Sequence, residues 1–272
     1  MELEPPFHVY IVGLGIYGFE QVTREVERAL RQCKSIYYVD PRPAAQIHLP
    51  GFCPRTFNLR SEYADFKQRS QTYEEMAERT LMAASLDPPV ALALYGHPLY
   101  GATPTQILLK RAHERGLRTK VFPGISSLDV LMVLLGLDPV VRGLQIYEAN
   151  DLLLRHRPLQ QDVPCLILQI GSVESFLAFR GKNRPRRFEL FKRHLLQFYP
   201  SSHELMICRA APDPCIETMM VPIVLSELET AYEELTLAAT LYIAPVQEKP
   251  RDSNLLRLMT SQDHLRQIVF LD

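Results

Sequence analysis

The sequence predicts an α/β fold built from two α/β domains. Short apolar runs alternate with amphipathic stretches of helical period through the first half, which is the pattern of a mostly parallel sheet covered by helices. The apolar run 90–94 stops at Tyr95-Gly96-His97-Pro98. A buried strand that ends this way delivers polar side chains to a rim, where open α/β sheets bind ligands. The 272 residues suffice for two domains of ordinary size. A break near Asp138-Pro139 divides the chain into domains over 1–140 and 141–250, with a tail over 251–272.

Each element follows from local chemistry. Residues 8–12 read as a strand, and Gly13-Leu14-Gly15 as a turn. A helix then carries Val22, Val26, Ala29, Leu30 and Cys33 on one face. A second strand, 36–39, ends at Asp40 and a proline-rich stop. Residues 41–66 read as irregular, and a loop that long and aromatic suggests a functional role. A helix runs from Thr72 to about Ala84. Thr103-Pro104 reads as an N-cap with proline at the first helical position, and that helix ends at Gly116. Residues 119–122 form a strand, broken by Pro123-Gly124. A helix over 127–135 closes at Gly136. Beyond the break, strands are expected at 144–148, 165–170, 204–209 and 239–243. Helices are expected near 185–197 and 226–236, and a tail helix over 255–268.

Charge excludes some functions. Thirty basic residues stand against 31 acidic ones, so no global attraction to nucleic acid or membrane arises. No run of about 20 apolar residues is present to span a bilayer. The acidic N-terminus lacks a signal peptide's basic and apolar regions. Five scattered cysteines, Cys33, Cys53, Cys165, Cys208 and Cys215, show neither zinc spacing nor a disulfide framework. A cytoplasmic protein with reduced, mostly core cysteines is expected.

Several motifs carry possible chemistry. Residues 13–18 fit GxGxxG, and Asp40 lies at the end of the next strand, as an NAD-type dehydrogenase would require. A different cofactor at this turn, or a purely structural turn, fits the same residues. Thr72-Tyr73-Glu74-Glu75 reads as a capping box. It would put Tyr73 at the first helical position, where the helix dipole and Arg69 favour a phenolate. An ordinary capped helix with half-buried tyrosines reads equally from these residues. His97 sits on the rim, with no second ligand at metal spacing, so no metal site is expected. Ser126-Ser127 after Pro123-Gly124-Ile125 offers hydroxyls at a helix start. The basic segment containing Arg180, Lys182, Arg184, Arg186, Arg187, Lys192 and Arg193 reads as a solvated loop and helix face, or as a dock for an acidic peptide or a nucleic acid.

Taken together these stretches resemble the tetrapyrrole methylase superfamily, and within it the borosin peptide backbone α-N-methyltransferases. Porphyrinoid-modifying members usually carry Gly-Asp-Pro where this chain has Gly96-His97-Pro98. Asn58-Leu59, Tyr63, Arg69, Thr72-Tyr73, Pro123-Gly124-Ile125-Ser126, Tyr147-Glu148-Ala149, Gln169-Ile170-Gly171 and Ser253-Asn254-Leu255 extend the likeness. It is dense over about 10–172 and thinner beyond. One departure is Leu99-Tyr100-Gly101, where that family often has Gly-Val-Phe.

The resemblance implies an S-adenosylmethionine-dependent methyltransferase. Its catalytic positions match Tyr63, Arg69, Tyr73 and Tyr95. Its cofactor positions fall at Gly13, Gly15, Tyr95, His97, Tyr100, Ser126, Ser127, Gln169, Ala210, Ala239 and Thr240. A homodimer is implied as well. Fused relatives carry their substrate as a C-terminal extension. This sequence stops soon after the catalytic region, so a separate precursor peptide is expected as the substrate. An amide nitrogen is a poor nucleophile because its lone pair is delocalised. Tyr63 or Tyr73, made acidic by Arg69, would remove its proton, and Tyr95 or a partner phenol would donate to the developing oxyanion. Methylation of a tetrapyrrole or other small molecule is the alternative within the superfamily. A dehydrogenase and a non-catalytic peptide-binding module are the alternatives outside it.

Overall fold

A computed structural model describes residues 7–211, 216–247 and 249–270. Two five-stranded sheets form its frame. In the first half β1 (Val9–Gly13), β2 (Ser35–Val39), β3 (Thr56–Asn58), β4 (Val90–Leu94) and β5 (Thr119–Phe122) pair in the order β3-β2-β4-β1-β5, all parallel. Helices α1 (Arg24–Gln32), α2 (Pro43–His48), α3 (Arg69–Leu86), α4 (Thr103–Glu114) and α5 (Ser127–Leu135) connect them. β1 and β4 are buried along their whole length, so apolar residues run without alternation.

The second half holds α6 (Pro139–Arg142), β6 (Gln145–Glu148), α7 (Ala149–Leu154), β7 (Cys165–Leu168), α8 (Glu189–Leu195), β8 (Glu204–Arg209), β9 (Met219–Val224) and β10 (Thr240–Ile243). The sheet order is β6-β7-β10-β8-β9. Only β6 and β7 run parallel, and the other pairs are antiparallel. Phe188 and Phe191 are fully buried in this half's core. Helix α5 joins the two halves by burying Leu131 against Leu166 and Cys208.

Several expectations need correction. The GxGxxG turn does not open a helix, because α1 starts only at Arg24, capped by Thr23. Residues 41–66 are not irregular: they hold α2, β3 and two 3-10 turns. Thr72 is not an N-cap, since α3 begins at Arg69 after the cap residue Gln68 and Thr72 is buried inside it. Tyr73 therefore lies a turn inside the helix, away from the strongest part of the dipole. Thr103 is the first helical residue rather than the cap, which is Ala102.

In the second half the expected strand 165–170 stops at Leu168, because Gln169 turns left-handed. Residues 185–188 and 225–231 form 3-10 turns rather than α-helix. β9 escaped notice because Pro222 interrupts its pattern, and an edge strand tolerates that. The tail forms two helices, α9 (Ser253–Met259) and α10 (Gln262–Ile268), broken where Ser261 caps the second. Cys33, Cys53, Cys165 and Cys208 are buried free thiols, and Cys215 lies outside the described residues. No helix among the described residues is long and apolar enough to cross a membrane.

Candidate active site in the cleft

Two cavities meet between the sheets. The smaller, about 220 Å³, is lined by Tyr95, Tyr100 and Gly101 after β4, by Ser127 and Leu131 on α5, and by Leu168, Gln169, Ala210 and residues 237–240. The larger, about 660 Å³, takes Tyr63, Arg69 and Tyr73 from the first half, and Ser172 and residues 177–180 from the second. Gln169 and Leu237 line both, so they form a shared wall.

A short antiparallel contact holds the larger cavity together. Phe66 N donates to Ala178 O (2.9 Å), Ala178 N to Lys67 O (2.8 Å) and Arg69 N to Phe176 O (2.9 Å). The first amide of α3 is thus satisfied by the other half of the molecule rather than by a cap side chain. Arg69 Nη1 donates to Ser172 Oγ (2.9 Å) and Gln169 Oε1 (3.3 Å), and Nη2 donates to Ser175 O (3.2 Å). Gln169 itself holds a left-handed conformation, φ 57°. That geometry costs a non-glycine residue about 1 kcal/mol or more and is found where a site needs a side chain aimed.

Tyr63 and Tyr73 stack edge to face, with ring centroids 6.3 Å apart. Burial, then the neighbouring Tyr73 phenol, push the Tyr63 phenol well above its ordinary range, and Arg69 offsets only part of this. In the cleft as it stands Tyr63 is a neutral donor, not a ready base. Tyr95 is raised by burial too, with Arg42 pulling in the opposite direction.

The structure brings together Tyr63, Arg69 and Tyr73 in one cavity. In the other it brings together Tyr95, Tyr100, Ser127, Gln169, Ala210, Ala239 and Thr240. Four expected residues line neither. A Cβ on Gly13 would lie 2.5 Å from Gly96 O and 2.8 Å from Gly124 Cα, so three glycines let the strand ends touch. Gly15 (φ 72°) abuts Gln21, whose Oε1 accepts from Ile16 N and Tyr17 N (2.7 and 2.9 Å). His97 Nδ1 accepts from Leu99 N (3.1 Å) and shapes its own turn. Ser126 spends its hydroxyl on a capping box with Asp129, which sets the start of α5.

Sequence reasoning missed Leu237, Ser172 and Arg42. Arg42 carried a signal, since a cation two residues after Asp40 in a proline-flanked run is placed to pair with it. Asp40 is buried in that pair, so it is unavailable to a ribose, and the helix that follows the glycine turn, α1, does not begin at it. The dinucleotide reading fails on both counts.

The lining of the smaller cavity carries groups whose chemistry suits S-adenosylmethionine. The Tyr100 hydroxyl is buried without a hydrogen-bond partner, and burial raises it to about 12, so it stays a donor awaiting an acceptor. Gly101, Ala210, Ala238 and Ala239 leave room beside it. No lysine or arginine lines it, and two phenol rings do, which suits a sulfonium cation.

A family model described as Tetrapyrrole (Corrin/Porphyrin) Methylases matches residues 8–211, and the chain belongs to that family. Among curated proteins, it is 31% identical over 92% of its length to a methyltransferase/ribosomally synthesized type I borosin cyclic peptide precursor of Cerrena unicolor. It is 30% identical over 88% to a type III counterpart of Anomoporia bombycina. The chain spans 61% and 28% of those two proteins, less than two thirds of either. Among solved structures, it resembles the methyltransferase CobJ (TM-score 0.61, 16% identity, 90% of this chain and 96% of that one). It also resembles uroporphyrin-III C-methyltransferase of Thermus thermophilus with S-adenosyl homocysteine (TM-score 0.59, 17% identity, 95% and 99%). At these identities the likeness speaks to the fold.

Proposed function

We propose that this chain is an S-adenosylmethionine-dependent methyltransferase acting on backbone amide nitrogens of a separate precursor peptide. The observation that carries the reading is the shared wall. A cavity suited to the cofactor and a larger one with two phenols and a guanidinium meet at Gln169 and Leu237. The curated relatives' names, which couple a methyltransferase with a peptide precursor, support a peptide as the occupant of the larger cavity.

The cofactor would be held by Tyr100, Ser127, Gln169, Ala210 and residues 237–240, and it supplies an electrophilic methyl group. The chain's residues do the rest. Tyr95 donates to the amide oxygen as charge builds there. Tyr73, beside Tyr63 and within the cavity that Arg69 lines, takes the amide proton as the acceptor nitrogen is drawn toward the wall. Arg69 fixes that wall, so catalysis is positioning plus electrostatics. A homodimer accompanies this reading. The tail helices expose Leu255, Leu256, Leu258, Met259, Leu265 and Ile268, which supports burial against a second copy.

Tandem mass spectrometry of candidate peptides coexpressed with the chain tests the proposal. Methyl groups that fragment to backbone nitrogens support it. Unmodified peptides from a protein that still carries S-adenosylhomocysteine would shift the assignment to methylation of a tetrapyrrole or another small molecule.

A further inference from the structure

Tyr95 leaves the end of β4 with its N–H donated to Val39 O at the end of β2 (3.0 Å). The next residue on β2's side is Asp40, and two further on is Arg42. Their side chains are 0% and 4% exposed. Arg42 grips the carboxylate as a fork. Nη2 donates to Oδ2 at 2.6 Å, and Nε to Oδ1 and Oδ2 at 2.9 and 3.1 Å. The Arg42 backbone N–H also donates to Oδ1 (2.8 Å). Nη1 donates to Gly18 O (2.6 Å), and Nη2 reaches Leu14 O (3.5 Å). With all these donors engaged, the guanidinium is fixed in place. Its Cζ stands 4.8 Å from the centroid of the Tyr95 ring.

A buried ion pair is a poor means of stabilising a fold, because apolar residues of similar volume do as well. Here the pair aims a fixed cation at Tyr95, which leaves β4 for the smaller cavity. We infer that Arg42, oriented by Asp40, is a positioning residue for Tyr95: it fixes the ring and strengthens the phenol as a hydrogen-bond donor. The inference rests on the role given to Tyr95 above. A guanidinium is attracted to an aromatic face, and it also stabilises the charge that gathers on the phenol oxygen as Tyr95 donates. No bond is made or broken by Arg42. Asp40 opposes this effect on the phenol but keeps the cation from turning away. Tyr100 lines the same cavity, where burial and then the charge of the Asp129 carboxylate oppose its ionisation.

The test titrates Tyr95 without ligand, by ultraviolet difference between the chain and Tyr95→Phe, in native, Arg42→Gln and Arg42→Lys backgrounds. In Arg42→Gln the Tyr95 phenol should ionise at a higher pH than in the native chain. In Arg42→Lys, which keeps a cation without the fork, most of that shift should be absent. S-adenosylhomocysteine affinity should stay within about threefold. Turnover on a peptide that the native chain methylates should drop about 3- to 30-fold, the range from an exposed to a desolvated cation–aromatic contact. Adding Arg42→Gln to Tyr95→Phe should cost nothing further in turnover.

An unshifted Tyr95 in folded Arg42→Gln overturns the inference, and so do additive losses. If Arg42→Gln does not fold, ring-labelled tyrosine NMR of the native chain decides. Tyr95 should titrate below Tyr63 and Tyr100, and titration with or above them overturns the inference. A chain that binds no S-adenosylhomocysteine and methylates no peptide would refute the proposed function, while the Tyr95 titration would still judge the placement.

Discussion

Arg69 Nη1 lies 3.3 Å from Gln169 Oε1, a contact between residues a hundred positions apart that ties the first turn of α3 to the wall shared by the two cavities. The guanidinium also holds Ser172 Oγ and Ser175 O. Its role is therefore to brace the cleft as well as to place a positive charge near Tyr63. Arg69→Lys keeps the charge but cannot span three acceptors. Two or three charge-assisted hydrogen bonds are lost, each about 1.5–3 kcal/mol. Turnover should fall on the order of 100-fold in Arg69→Lys, nearly as far as in Arg69→Ala. A lysine variant with near-native turnover would show that charge, not bracing, is what matters.

Tyr73→Phe removes one phenol from the larger cavity and leaves the smaller one untouched. Turnover should drop by about 100-fold or more, within the usual reach of one acid–base group. S-adenosylhomocysteine affinity by calorimetry should change less than threefold or so. Equal losses in both would remove Tyr73 from the chemistry.

Tyr100→Phe probes the other side. The native hydroxyl is buried without a partner, so the ligand-free chain should gain up to about 1 kcal/mol of stability when it is deleted. Cofactor affinity should weaken about tenfold if that hydroxyl donates to it. Both signs can be read by comparing melting curves with and without S-adenosylhomocysteine.

Much of this was legible in the sequence because it depends on local pattern. The buried runs 9–13 and 90–94 announce a parallel sheet, and Tyr95 must leave the second one at a rim. The start of α3 was not legible. Its first amide is satisfied by Phe176 O, a partner 107 residues away, so the local Thr72 capping signal was overridden by tertiary contact. Gly13 and Gly15 were read toward a ligand because a glycine that admits a cofactor and one that admits another backbone look alike in sequence. The three-way contact of Gly13, Gly96 and Gly124 exists only in three dimensions. In the second sheet β9 was hidden by its proline, which breaks the alternation of a strand, and the antiparallel pairing of β10 with β7 and β8 joins strands distant in sequence, whose relative direction no local pattern carries.

That glycine contact makes a stability prediction. Gly13→Ala would place a methyl 2.5 Å from Gly96 O and 2.8 Å from Gly124, all backbone and unable to swing aside. Overpacking of this kind costs about 1–3 kcal/mol even where side chains can adjust. Gly13→Ala should therefore lower the melting temperature by several degrees or abolish soluble expression. Gly116→Ala, strained only by its positive φ with open space around it, should cost about 1 kcal/mol. Equal, small effects at both positions would contradict the close approach of the three glycines.

The buried thiols set an alkaline limit. Burial raises Cys33 and Cys165 to about 12 and Cys208 to about 11, from an ordinary value of 9.0. In the unfolded chain they lose their protons near 9, and in the folded chain only well above it. Between those values the folded state holds more protons, so stability falls as pH rises. The contribution is complete below pH 9 and is lost between about 9 and 12, at about 1 kcal/mol per thiol per pH unit before solvent screening. Urea midpoints should hold steady from pH 7 to 8.5 and then fall steeply by pH 10.5. The triple variant Cys33→Ala, Cys165→Ala, Cys208→Ala, although weaker at neutral pH, should fall less steeply over that interval. An identical slope would assign the alkaline loss to the buried tyrosines instead.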